Sequence, residues 1–216
     1  MSDTPPRLWH WPDRRHLGEA ARLALLQGLW FGLVFYGADY VASLHSFRIR
    51  VHFDFDIAVP FVPQAVVVYD SLYLLFAIAP FILGTRRELR AMTATLAAVT
   101  LIAGVCFLLL PVKDAFPPPG EMGLWTGPVH LAKLLAASNN YFPSLHVTLS
   151  TTCAAVYARH AHLLGKLLFA LWSAAVGVST LLLHQHYSLD VVAGFALALG
   201  SVRWIYVPLA TGSDGS

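Results

Sequence analysis

Six stretches of the chain, near 23–44, 62–83, 91–112, 142–158, 166–183 and 188–208, are apolar over lengths near the roughly 20 helical residues that cross a hydrocarbon core of about 30 Å. Hydrophobic residues make up 57% of the 216 and charged ones 12%, where a soluble domain carries roughly a quarter charged. The expected fold is therefore all-α: a polytopic membrane protein folded as a six-transmembrane-helix bundle. Asp70 and Pro80 interrupt the second run, and the fourth is short and polar at its start. With no internal repeat, the chain divides into an N-terminal segment 1–22, one membrane domain 23–210 and a tail 211–216. Residues 1–20 are polar and carry no cleavable leader pattern, so the first apolar run serves as the insertion signal. A net charge of +2 in so apolar a background argues against nucleic acid as a partner. Cys106 and Cys153 lie inside apolar runs, as small buried hydrophobes do.

Cytoplasmic loops carry the excess of Lys and Arg near helix ends. With the N-terminus inside, Arg7, Arg14, Arg15, Arg22, Arg86, Arg87, Arg90, Arg159, Lys166 and Arg203 fall on the inner side. Only Arg48, Arg50, Lys113 and Lys133 fall outside. Both termini are thus expected in the cytoplasm, with outer segments at 45–61, 113–141 and 184–187. Trp9 and Trp11 beside Arg14 and Arg15 suit either a stretch resting in the inner headgroup layer or a plain tail. In the first outer segment Phe47, Ile49, Val51, Phe53, Phe55 and Ile57 alternate with polar residues, a period of two that predicts an extended piece. The 113–141 segment carries Phe116-Pro117-Pro118-Pro119 and Trp125, the composition of a stiff, partly apolar lid.

Polar, titratable residues at the ends of membrane helices are costly, which makes them functional candidates. One cluster, Asn139-Asn140-Tyr141-Phe142-Pro143-Ser144-Leu145-His146, opens the fourth run. The other, Ser179-Thr180 and then His186-Tyr187-Ser188-Leu189-Asp190, opens the sixth. Two spans separate them, so both histidines return to the same membrane face. His186 and Asp190 stand four apart and share a helix face; a carboxylate there can hold one imidazole nitrogen and leave the other as nucleophile or base. Pro143-Ser144 is a helix start whose free N–H groups favour an anion, and His146 sits beside it as a proton donor. Nucleophile, acid and anion cradle together describe phosphoryl transfer.

At these residues the chain resembles the type-2 phosphatidic acid phosphatase superfamily, and within it the branch similar to inositol phosphorylceramide synthases. Phe142-Pro143-Ser144-Leu145-His146 is similar to the family's Pro-Ser-Gly-His signature in that branch's Leu variant. Ser179, His186 and Asp190 match the spacing of its Ser-Arg, five residues, His, three residues, Asp signature. The resemblance implies a metal-independent two-step reaction without a cofactor. His186 would attack phosphorus and become phosphohistidine, Asp190 would orient it, and His146 would protonate the leaving alcohol and then activate the acceptor. Thr180 stands where the family has Arg, and no Lys with the family's following Arg-Pro precedes the second motif. Lys113 is the candidate phosphate ligand in their place, with Lys133 or Asn140 as substitutes; Asn140, Ser144, Leu145 and Tyr187 complete the expected substrate-binding set.

Other polar residues have plainer readings. His10, His16, His160 and His162 are expected as solvated cytoplasmic groups, and His45, His52 and His130 as loop residues. His184, with His186 and Asp190, forms a string that could ligate a metal, but the ligand count falls short, so no metal site is expected. Asp39 and Asp70 either mark a transport path or are satisfied structural groups near Tyr40 and Tyr69. The expected function is hydrolysis of a lipid phosphate ester at the extracytoplasmic face of a plasma membrane, of the bacterial inner-membrane kind. The partners are a phospholipid or lipid phosphate and the bilayer itself. The alternatives are a phosphotransferase passing a phospho-headgroup to a second lipid alcohol, and a transporter or other non-enzymatic membrane protein.

Overall fold

The computed structural model describes residues 8–212. Arg7 and the tail residues 213–216 lie outside the described residues. Helix α1 (Arg14–Ser43) starts well before the first apolar run because the Asp13 side chain accepts the His16 N–H at 2.7 Å and caps it. Just upstream, Trp9 stacks on Phe81 with ring centroids 4.8 Å apart, and the His10 N–H donates to the Phe81 carbonyl.

Residues 45–61, expected as the first outer segment, are extended only in part. Ile49 forms one parallel bridge with Val112, but Asp54–Ile57 coil into a short helix, α2. Asp56 accepts the Phe53 N–H at 2.8 Å and closes that turn, so a local side-chain bond overrides the two-residue alternation.

The second apolar run is broken: a 3-10 turn (Pro63–Ala65), α3 (Val66–Asp70) and α4 (Leu72–Ile82), with Ser71 at the joint. The Ser71 hydroxyl accepts the Trp172 indole N–H at 2.7 Å, fixing the joint to a neighbouring helix. Helix α5 (Arg86–Leu109) opens with a reciprocal cap between Thr85 and Glu88 and packs along α1, where Trp30 donates to the Ala97 carbonyl. The 113–141 segment holds a helix that its loop-like composition concealed, α6 (Thr126–Ala136). Val129 and Ala132 bury its inner face against Ala65, Val66, Tyr69 and Leu183.

Helix α7 (Leu145–Ala158) is the centre of the fold. It touches α4, α5, α8 and α9, and its hydroxyl groups are satisfied at home: Thr148 donates to the Ser144 carbonyl, Thr152 to that of Thr148, and Thr151 pairs with Ser173 of α8. Helix α8 (Leu163–Leu182) runs to the second motif, and α9 (Ser188–Ser201) continues through a π turn (Val202–Tyr206) into α10 (Val207–Thr211).

Among the described residues, five stretches are long and apolar enough to cross a membrane: Arg14–Ser43, Pro63–Ile82, Arg86–Leu109, Leu163–Leu182 and Ser188–Thr211. They make the chain an integral membrane protein. The expected fourth span is not one of them. Residues 142–144 go into a turn and a cap, leaving a helix of 14 residues, about 21 Å long at 1.5 Å per residue.

Candidate active site

The two motifs meet at the N-terminal ends of α7 and α9. The Ser144 N–H donates to the Asp190 carbonyl at 3.0 Å, and the Ser144 side chain turns back to accept the Val147 N–H as the cap of α7. Gly194 makes the approach possible: a Cβ there would stand 2.8 Å from the Ser144 carbonyl oxygen and 3.1 Å from the Val147 Cβ. Bare backbone at that position lets α9 lie directly on the first turn of α7.

Asp190 is fully buried. One carboxylate oxygen, Oδ2, accepts the Tyr187 N–H at 2.8 Å and faces His186 Nδ1 at 3.7 Å. Oδ1 has no partner, and neither has His186 Nδ1 within hydrogen-bond distance. The pair is aligned but slightly open, the form such contacts often take without substrate. With Nδ1 turned to the carboxylate, His186 Nε2 is the free nitrogen.

His146 lies flat on Tyr69, ring centroids 3.7 Å apart and 12° between planes, with Nε2 3.1 Å from the Tyr69 carbonyl oxygen. A carbonyl only accepts, so Nε2 carries the proton and Nδ1 is the nitrogen available for exchange. His146 and His186 line one cavity of about 850 Å³, together with Asn140 and Leu145. Asn140 donates to the Phe35 carbonyl at 2.8 Å and leaves its own oxygen unpartnered.

A stack of aromatic rings runs beside the second motif. Tyr141 stacks on Tyr187, Tyr187 on Phe116 and Phe116 on His184, with centroids 5.6, 4.5 and 4.5 Å apart. Phe116 thus joins the lid-like proline segment to the second motif. The Tyr187 hydroxyl donates to the Lys113 carbonyl and accepts the Ala115 N–H at 2.8 Å. Burial pushes this phenol up to about 12. His184, in the left-handed region at φ 53°, turns the chain between α8 and α9 and donates from Nε2 to the Val59 carbonyl. Among the described residues no three His, Cys, Asp or Glu are grouped to hold a metal ion.

Lys113 is not brought to this cavity. Its N–H donates to the Ile49 carbonyl, its own carbonyl is held by Tyr187, and its side chain is exposed. Lys133 lies 5.8 Å over the Phe61 ring instead. Thr180, at the position of the family arginine, is fully buried and donates to the Gly177 carbonyl in its own helix.

Sequence reasoning missed Asp56. It is buried, and its two oxygens accept the Ser188 N–H at 3.0 Å and the Phe53 N–H, so it caps α9 from a distant part of the chain. The signal was present as an acid set between Phe55 and Ile57. Asp39 resolves into a structural group whose Oδ1 takes the backbone N–H groups of Ser138 and Asn139 and the Asn139 amide. Arg48 completes that corner by donating to the Asn139 oxygen.

The PAP2 superfamily matches residues 56–204, well over half of the chain. The chain belongs to the PAP2 superfamily. The matched region begins at Asp56 and encloses both motifs, so the PAP2 region contains the carboxylate that caps α9 as well as the histidine pair. Membership carries a phosphatase or phosphotransferase type of activity on a phosphate ester, in a family whose enzymes are generally metal-independent. No curated protein and no solved structure matches the chain.

Proposed function

We propose that the protein is a lipid phosphatase that hydrolyses a phosphate ester at the extracytoplasmic face through a phosphohistidine. The observation that carries this is the junction of a buried His186–Asp190 pair and a stacked His146 on one largely apolar cavity. His186 Nε2 attacks phosphorus as the P–O bond to the lipid alcohol breaks, and His146, which enters this step protonated on both nitrogens, gives that alkoxide the proton on Nδ1. His146 then takes a proton from water, whose oxygen attacks phosphorus and breaks the P–N bond. Asp190 holds His186 in the required tautomer and stabilises its cationic form. The unpartnered Asn140 oxygen and the Tyr141–Tyr187 face bound the headgroup volume. Lys113 remains the proposed phosphate cation through a swing of its exposed side chain, and Ser144 and Leu145 act by shaping the first turn of α7.

Six crossings follow if α7 and the residues before it complete a re-entry into the bilayer core, with the membrane domain at 23–210 and both termini in the cytoplasm. The charge bias supports that orientation and a plasma-membrane location, the bacterial inner membrane. One observation favours the second reading, transfer to a lipid alcohol in the manner of inositol phosphorylceramide synthases: His186 is buried next to Tyr187, which itself lies under the Phe116 ring, an arrangement that limits the access of water.

Purified protein supplied with labelled phospholipids and lipid phosphates, with and without diacylglycerol or ceramide, separates the readings. Released phosphate supports hydrolysis, and a new labelled lipid that depends on the added alcohol supports transfer. An acid-labile label trapped on wild type but absent from His186→Ala, with turnover nearly lost in His146→Ala and less affected in Asp190→Asn, is expected. A folded His186→Ala protein with normal turnover rejects the mechanism.

A further inference from the structure

The cavity that begins at the two histidines does not end near them. It runs between α1 and α4, floored by the α5 residues Leu89, Met92 and Leu96, and its lining reaches Leu17. Leu17 and Tyr36, both on its wall, are about 28 Å apart along α1 at 1.5 Å per residue, which is nearly the whole of a hydrocarbon core of about 30 Å. Helices α1 and α4 scarcely touch, and Ala21, Ala24 and Gly28 line the cleft while being exposed. The cleft therefore opens sideways to lipid. Phe81, stacked under Trp9, closes its inner end.

Gly28 and Gly32 form part of the α1 wall, and a Cβ at either would meet nothing within 4 Å. Two glycines inside a membrane helix, each beside open space, keep the cleft wide. Helix α1 also lies outside the matched residues 56–204, so one wall of the cleft is built by residues beyond the part that carries the motifs.

The geometry points to a tail channel: one hydrocarbon chain of the substrate lies along α1 with its phosphate at His146 and His186, and the cleft selects chains long enough to pass the bilayer midplane. A chain anchored at one face covers its own leaflet in about 15 Å, and the cleft continues for nearly as far again. Polar groups gathered at one end, and a wall along the rest that is apolar but for Gln27 and Thr93, match an amphiphile in that single orientation. Gly28 stands about 12 Å from the Tyr36 end, so a residue filling that space stops a long chain and not a short one. This inference rests on the histidine end being the phosphate site.

The test is a series of monoalkyl phosphates from octyl to docosyl, assayed in detergent with wild type, Gly28→Leu, Gly32→Leu and, as a control on α1 away from the cleft, Gly37→Leu. All three glycines have open space beside them, and leucine favours helix over glycine, so folding is preserved. Wild-type kcat/KM is expected to rise along the series. The docosyl-to-octyl ratio should fall about tenfold in Gly28→Leu, the loss of roughly two buried methylenes' worth of contact, and stay at the wild-type value in Gly37→Leu. In parallel, a hexadecyl phosphate bearing a photoactivated diazirine at mid-chain should crosslink to α1 and α4 in wild type and much less in Gly28→Leu. Turnover that is indifferent to chain length, or crosslinks spread over the outer surface, overturns the channel while leaving the phosphatase reading in place. Absence of turnover with crosslinks confined to the cleft upholds the channel and removes the phosphatase reading. A cleft-dependent dimer, seen with wild type and lost in Gly28→Leu without any length preference, assigns the cleft to a second copy and overturns the inference.

Discussion

Replacing Gly194 with Ala should damage both stability and turnover, because it acts on the contact that joins the two motifs. The added methyl would lie 2.8 Å from the Ser144 carbonyl oxygen, 3.1 Å from Val147 Cβ and 3.3 Å from Thr148 Oγ1. The first of these is backbone, so α9 must move off α7 by some tenths of an ångström. Overpacking of this kind costs about 1–3 kcal/mol, and the better helix propensity of Ala returns up to about 1 kcal/mol. A net loss of about 1–2 kcal/mol lowers Tm by roughly 2–8 °C for a chain of this length. The same shift separates His146, on α7, from His186 and Asp190 at the head of α9. Since a misplacement of about 1 Å can cost a factor of about 100 in rate, a loss of about tenfold in kcat is expected. The assay is thermal unfolding in detergent alongside turnover of a lipid phosphate. Gly37→Ala is the control, an exposed position with open space, expected to be as stable as wild type or more so. A Gly194→Ala protein with wild-type kcat and an unchanged or raised Tm would refute the argument that backbone contact at this glycine sets the site.

Asp56→Ala strands the N–H groups of Ser188 and Phe53 and should cost about 1–3 kcal/mol, read as a lower Tm, whereas Asp56→Asn, which keeps an acceptor, should cost less. Tyr187 is held neutral to about 12 from an ordinary 10.0 by burial. The folded state therefore binds the extra proton, and stability should decline as pH rises through that interval; an unfolding midpoint that is flat across it, with Tyr187→Phe behaving identically, would contradict this. Leu124, the most exposed large apolar residue on the lid-bearing segment, should react as Cys with a membrane-impermeant thiol reagent in intact cells, while labelling only after permeabilisation would invert the proposed orientation.

Much of the site was legible because its chemistry is written locally. His186 and Asp190 stand four residues apart, and the cap at Ser144 comes two residues before His146, so spacing alone placed both motifs at helix starts, with His186 in the turn just ahead of α9. Their union was legible from topology, since two helices, α7 and α8, run between the motifs and return the chain to the same end of the bundle. What escaped is what other parts of the chain contribute. Asp56 acts through a backbone N–H more than a hundred positions away, a relation that no periodicity records. Helix α6 escaped because prolines and glycines precede it and Gly127 and Pro128 occupy its first turn, and burial of Val129 and Ala132 gives it a reason to form. Lys113 was chosen for its place before the motifs, but a strand-like bridge and the Tyr187 hydroxyl fix its backbone with the side chain in solvent. The extended reading of 47–57 failed at the one residue whose carboxylate closes a turn.

The shortness of α7 makes bilayer thickness a variable in the chemistry. A helix of about 21 Å within a core of about 30 Å leaves its histidine-bearing end, or its other end, several ångströms below a headgroup plane unless the membrane dips to meet it. Long neighbours hold the rim of the protein at full height, so the dimple is confined to the middle of the bundle, over α7 and the start of α9. On the proposed reading of the site, with the histidine-bearing end the recessed one, a phosphate descends out of the headgroup layer to reach His186, shedding water on the way. Thin bilayers shorten that descent and thick ones lengthen it, so the same protein should work at different rates in membranes that differ only in acyl length.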